Sequence, residues 1–127
     1  MKALSIRQPW AWLIASGHKD VENRTWYTRF RGKFLIHASL KFDDAGLVWV
    51  RGNFPHIQIP TALPTGCVVG WATLEDCLEG RAVVSPWAFG PFCFMLKDAE
   101  LWDTPEPGPG ALRWFEFELP SWREAQP

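Results

Sequence analysis

The sequence predicts an α+β fold, a small and mostly antiparallel β-barrel flanked by short helices, as a single domain over residues 1–127. Three observations point there. The chain has 127 residues, 47% hydrophobic and 21% charged, which suits one core; two domains of half that length would each have a marginal core. Six strand-like runs are bounded by Gly and Pro, and only two segments carry helical spacing, too few for a doubly wound sheet. Eleven prolines and ten glycines call for many turns and short elements. Closing such a sheet would remove its edges, which otherwise invite aggregation.

Residues 2–6 (Lys-Ala-Leu-Ser-Ile) alternate as a short strand. Pro9 suits a first helical turn, and Trp10, Leu13 and Ile14 repeat at helical spacing until Gly17, which gives a helix over 9–16. Residues 19–26 read as a strand with Val21, Asn23 and Thr25 on one face and Asp20, Glu22, Arg24 and Trp26 on the other. Residues 27–32 form a basic, aromatic connection. A buried strand follows over 33–39, a helix over 43–52, and an irregular stretch over 53–65 with three prolines. Residues 67–78 and 92–102 are the two long strands, joined by a loop over 80–90. Three prolines and two glycines make 104–110 a turn or loop, and 112–119 alternates as the last strand.

Composition excludes several classes of function. The apolar content is too high for a disordered regulator, and no window of about 18 apolar residues provides a membrane span. Residues 1–9 lack the apolar stretch of a secretory signal, so the expected compartment is the cytoplasm. Cys67, Cys77 and Cys93 form no Cys-x-x-Cys pair and read as buried thiols; no metal and no cofactor is expected. Nine tryptophans exceed what so small an interior needs, so two or three are expected on a cleft wall. The net charge of −1 hides a division: residues 1–63 hold nine Lys/Arg against four Asp/Glu, and residues 64–127 hold four against ten. A polarised molecule of this kind binds a polyanion on one face.

The densest polar cluster is Gly17-His18-Lys19-Asp20-Val21-Glu22-Asn23-Arg24-Thr25-Trp26. Lys19 follows a helix-ending glycine, where its side chain can enter a cleft. Beside a carboxylate it can bind phosphate, hold water or share a proton, and burial would lower its pKa. The segment Arg24–Lys33 interleaves Arg24, Arg29, Arg31 and Lys33 with Trp26, Tyr27 and Phe30, without an acid. Such cations neutralise phosphates while aromatic faces stack on bases. An inward-packed turn with solvated arginines accounts for the same pattern. His37, mid-strand, reads as a hydrogen-bonded core residue before a catalytic base, and Ser39 as a strand-ending residue or a phosphate ligand. Trp87 or Phe89 walls the cleft or plugs the barrel end. The run Asp98, Glu100, Asp103 and Glu106 reads as a solvated face.

The segments Ser5-Ile6-Arg7-Gln8-Pro9-Trp10-Ala11, Gly17-x-Lys19-x-x-Glu22-x-Arg24-x-Trp26, Arg31-Gly32 and Ile36-His37-Ala38-Ser39 together resemble the ASCH domain, the activating-signal-cointegrator homology family of the PUA-like superfamily. Gly66-x-x-x-Gly70, Phe89-Gly90-Pro91 and Gly110-Ala111-Leu112 extend the resemblance over roughly residues 3–117. It implies a barrel flanked by helices, a cleft beside the Gly-x-Lys-x-x-Glu-x-Arg segment, and an RNA-related function. The partner expected is RNA, another single-stranded nucleic acid or a nucleotide, and no membrane. Gln8, Trp10, Lys19, Glu22, Arg24, Trp26, Arg31, His37, Ser39 and Trp87 are the residues expected to face it. A related group, amidohydrolases of N4-acetylcytidine, uses a lysine, a threonine three residues later and a distant glutamate. Lys19 matches the lysine, but Glu22 stands at the threonine, and Glu75 and Glu79 are the nearest glutamates by strand order. The alternative function is thus a hydrolase in the same cleft, an amidohydrolase or a weak ribonuclease, with Lys19 and Glu22 catalytic.

Overall fold

The computed structural model describes residues 1–124 of the chain; the expected domain's last three residues, 125–127, lie outside the described residues. The elements are β1 (Lys2–Gln8), α1 (Trp10–Ala15), β2 (Val21–Arg24), β3 (Gly32–Phe42), α2 (Asp44–Asn53), β4 (Cys67–Glu79), β5 (Phe92–Pro107), β6 (Trp114–Glu116) and α3 (Ser121–Glu124), with one 3₁₀ turn at Gly80–Ala82. All six strands join one sheet in the order β2-β5-β4-β3-β1-β6. Only β1 and β3 run parallel; the other four pairings are antiparallel. Among the described residues no helix is long and apolar enough to cross a membrane.

β3 is covered on both faces, which explains its unbroken apolar run. Phe34 and Ile36 point with Leu4, Ile6 and Phe94 toward α1, in the larger core cluster. Leu35 points the other way with Ala3, Val68 and Trp71, onto Phe117 and Leu119. Strands buried on both faces lose the alternation of half-buried ones. Each such fully buried Leu, Ile or Phe contributes about 1.5–3 kcal/mol.

The expected closed barrel is corrected to an open, curled sheet. Irregularities in register interrupt β4–β5 at three places and β3–β4 at one, and bulges of this kind bend a sheet and raise its twist. The two edges, β2 and β6, are brought to face one another but share no ladder. Side chains span the gap instead: the Trp26 ring lies 6.4 Å edge-on from Trp114, the Arg113 guanidinium sits 4.9 Å over Trp26, and Arg24 Nη2 donates to the Ser5 carbonyl of β1 at 2.8 Å. Both edge strands are short, four and three residues, which limits unwanted pairing.

Other boundaries moved for identifiable reasons. The strand expected over 19–26 is confined to Val21–Arg24, where it pairs with β5. The stretch 104–110, expected as a loop, is strand as far as Pro107. β2 pairs with β5 only over Phe92–Met95, so the rest of β5 has an open outer edge, where a proline removes no ladder bond. The last strand, expected over 112–119, forms only where it meets Lys2–Leu4 of β1. The one-turn α3 has no counterpart in the sequence reading.

Candidate functional site

Beside the β2 edge, between β2, β1 and α1, lies a cleft of about 600 Å³, within the range of small-molecule sites. β1 contributes Ser5, Ile6 and Arg7, α1 contributes Trp10, and β2 with its continuation contributes Glu22 through Trp26; the segment Trp87–Pro91 closes the outer side.

Lys19 reaches the cleft floor because α1 ends abruptly. Gly17 adopts φ +86°, a conformation open to glycine at little cost, and the Lys19 amide then turns back to the Leu13 carbonyl at 2.9 Å. The Lys19 side chain is 3% exposed. Its ammonium donates to the Val21 carbonyl and to Glu22 Oε1, the latter at 3.3 Å, and lies 5.5 Å from the centre of the Trp10 ring. Glu22 Oε2 accepts from Arg24 at 3.0 Å, and Arg24 continues to Ser5. One carboxylate, 10% exposed, thus lies between two cations. Burial pushes the Lys19 ammonium below the usual lysine range; Glu22 opposes this in part, and Arg24 adds to it. With Arg7, the lining holds three cations to one carboxylate.

Two devices fix the aromatic walls. Asp43 caps α2 through the Gly46 amide at 2.8 Å, and its other oxygen accepts the Trp10 indole N–H at 2.9 Å. These two hydrogen bonds hold the Asp43 carboxyl below its usual range. Asn23 holds the opposite wall: its amide nitrogen donates to the Trp87 carbonyl at 2.8 Å, and its oxygen accepts the Phe89 and Gly90 amides at 2.8 and 2.9 Å. A Cβ on Gly90 would come within 2.9 Å of Asn23 Cβ and the Phe92 carbonyl, so only glycine lets the segment lie this close.

Of the residues expected to face a ligand, Trp10, Lys19, Glu22, Arg24, Trp26 and Trp87 converge on the cleft. Four do not. Gln8 is fully buried and ties the Trp12 amide to the Pro64 carbonyl. Arg31 is spent on the Thr28 and Phe30 carbonyls and on Asp76. His37 is the core residue its strand position suggested: Nε2 donates to the Gly108 carbonyl at 2.8 Å, and Nδ1 shares a hydrogen bond with Ser5 Oγ at 2.9 Å. Ser39 donates to the Lys41 carbonyl. Nor do Glu75 and Glu79 line the cleft; Glu75 is exposed and Glu79 pairs with Arg81. Trp87 is mainly packing, stacked at 4.3 Å on Phe54, while Phe89 is exposed at the rim. The sequence reading gave Arg7, Asn23 and Asp43 no role in the site. Asn23 lies inside the polar cluster it singled out, whereas the reach of Asp43 to Trp10 leaves no mark in the sequence.

The ASCH domain family model matches residues 4–105. The chain is similar to activating signal cointegrator 1 of Homo sapiens, 33% identical, and of Mus musculus, 39% identical. Each comparison covers 76% of this chain and 19% of the relative, so the chain spans about a fifth of those proteins. Among solved structures, ASCH from Zymomonas mobilis superposes with a TM-score of 0.53 at 19% identity, over 84% of this chain and 72% of that one, a likeness of fold. A six-stranded curled sheet with short helices, a family match over 102 of 127 residues and relatives above 30% identity lead to one conclusion: the chain belongs to the ASCH domain family.

Proposed function

We propose that this chain is a single ASCH domain that binds single-stranded RNA or a nucleotide in the cleft between β1, α1 and β2. The observation that carries the reading is the buried Lys19–Glu22–Arg24 row beneath tryptophan walls. Two cations on one carboxylate leave a net positive floor for phosphate, and Trp10, Trp26 and Phe89 offer ring faces for bases. Stacking on such faces contributes about 1–3 kcal/mol per base. Glu22 accepts hydrogen bonds from a base edge, and Arg7, exposed at the rim, meets the adjoining phosphate.

Filter binding of an RNA oligonucleotide across a salt series tests this. Arg7→Ala and Phe89→Ala alter exposed residues, so stability stays near wild type while affinity falls about tenfold for each. Wild-type protein without RNA affinity at low salt would sink the reading.

One observation favours a second reading, a hydrolase in the same cleft. Desolvation outweighs the pairing with Glu22 at Lys19, which brings the amine closer to serving as a base at neutral pH. Incubation with N4-acetylcytidine, with cytidine followed by chromatography, decides it. Turnover by wild type that is lost in Lys19→Ala would put the hydrolase first.

A further inference from the structure

A second aromatic site lies on β5, in the acidic half of the sequence. Trp102, Thr104 and Glu106 stand two residues apart on β5 and so share a side of the strand. Arg123 of α3 lies across them. Its guanidinium carbon is 4.3 Å from the Trp102 ring centre and 4.5 Å from that of Trp122. Nη2 donates to the Thr104 carbonyl at 2.8 Å and Nε to Glu106 Oε1 at 3.3 Å. A planar cation between two indoles, with acceptors at its edge, has the contacts that distinguish arginine from lysine. Of the expected solvated acidic face, Asp98, Glu100 and Asp103 are exposed, with Glu100 accepting the Trp71 indole N–H at 3.1 Å, whereas half-buried Glu106 holds this guanidinium.

The element that delivers the guanidinium is slight. α3 is one turn of four residues, too short to be stable by itself. Its Trp122 is 58% exposed, whereas the Arg123 side chain is 7% exposed. Space of about 240 Å³ adjoins the guanidinium, bordered by Trp71, Glu100, Leu101 and Asp103. Glu106 pairs with the guanidinium, Glu100 and Asp103 border the space, and the other cation nearby, Lys33, lies 3.7 Å over the Trp71 ring.

We propose that Trp102, the Thr104 carbonyl and Glu106 form a receptor for an arginine side chain of a basic protein segment, and that Arg123 is its resident occupant. When α3 lifts, the ring face, the carbonyl and the carboxylate are released together. A partner's arginine takes the same contacts, and its neighbouring residues extend over the adjoining acidic space. The charge of the surroundings selects a cationic partner, so this site and the RNA cleft take ligands of opposite sign. As a tethered competitor, Arg123 acts at an effective concentration on the order of millimolar, so the site opens only to a locally concentrated partner or when α3 is drawn away.

The test is fluorescence anisotropy of a labelled Gly-Ser-Arg-Gly-Arg-Ser-Gly peptide with wild type, Arg123→Ala, Arg123→Ala/Glu106→Gln and Arg123→Ala/Trp102→Leu, with circular dichroism to verify folding. Removal of the tethered competitor tightens peptide binding at least about tenfold, and either second substitution abolishes the gain. A lysine version of the peptide binds Arg123→Ala at least about fivefold more weakly, since an ammonium lacks the planar face. Arg123→Ala binding no tighter than wild type would overturn the proposal, as would a gain that survives Glu106→Gln, or equal binding of the lysine peptide. Should Trp102→Leu fail to fold, the Glu106→Gln pair decides alone.

Discussion

Glu22 is the residue on which the cleft depends most, because it is the buried counter-ion of two cations. Breaking a buried ion pair by removing one partner costs about 3–5 kcal/mol. With Arg24 partly exposed, Glu22→Gln is expected near the lower end, about 3 kcal/mol by urea unfolding. Lys19→Met in the same chain recovers part of that loss, since the unpaired buried ammonium is then gone; a double variant no more stable than Glu22→Gln alone would contradict the coupling. Asp43 sets a pH dependence of known sign. Its folded pKa lies below the ordinary aspartate range, so its contribution is fully present above the unfolded pKa. That contribution fades as pH falls through the folded pKa. Unfolding measured between about pH 6 and 2 should show Asp43→Asn converging on wild type at the acid end, because the amide retains the helix cap but cannot ionise.

At the scale of elements, the cleft is made by strands that end early and by short segments held in place. β2 supplies Glu22 and Arg24 to the floor, while Val21 enters the core and Asn23 holds the Trp87–Gly90 segment. The alternation expected of that strand is realised over its four residues. Asn23→Ala leaves two amides and a carbonyl without their partner and costs about 1–3 kcal/mol. Amide exchange at Phe89 and Gly90 should quicken by at least about tenfold. Unchanged exchange there would show that neighbouring packing, not Asn23, fixes the wall. α1 depends likewise on its stop: Gly17→Ala forces a side chain into the left-handed region at a cost of about 1–2 kcal/mol, although nothing crowds the Cβ itself.

Across the whole molecule, charge and curvature act together. The half with nine basic residues supplies the cleft's cations, and the half with ten acidic residues supplies the site at Arg123. Three lining cations less one carboxylate leave about two phosphates to be neutralised, so the log–log slope of RNA affinity against salt should be roughly −1.4, at about −0.7 per single-strand phosphate. A slope near zero would mean that stacking alone holds the ligand. The sequence determined much of this: most of the strand and helix content, the stop at Gly17, the buried thiols, the core role of His37, and the polar segment from which Lys19, Glu22 and Arg24 line the cleft. These follow from local periodicity, glycine's backbone freedom and charge spacing, all written within a few residues of one another. Tertiary structure decided whether the sheet closes, which of ten expected residues reach the cleft, and where the prolines of β5 can lie in a strand. It also decided that Arg123 folds back onto Trp102. Each of these depends on bulges and on contacts between residues far apart in the chain, because the curl of the sheet, and not the spacing of any motif, sets the distance between its edges.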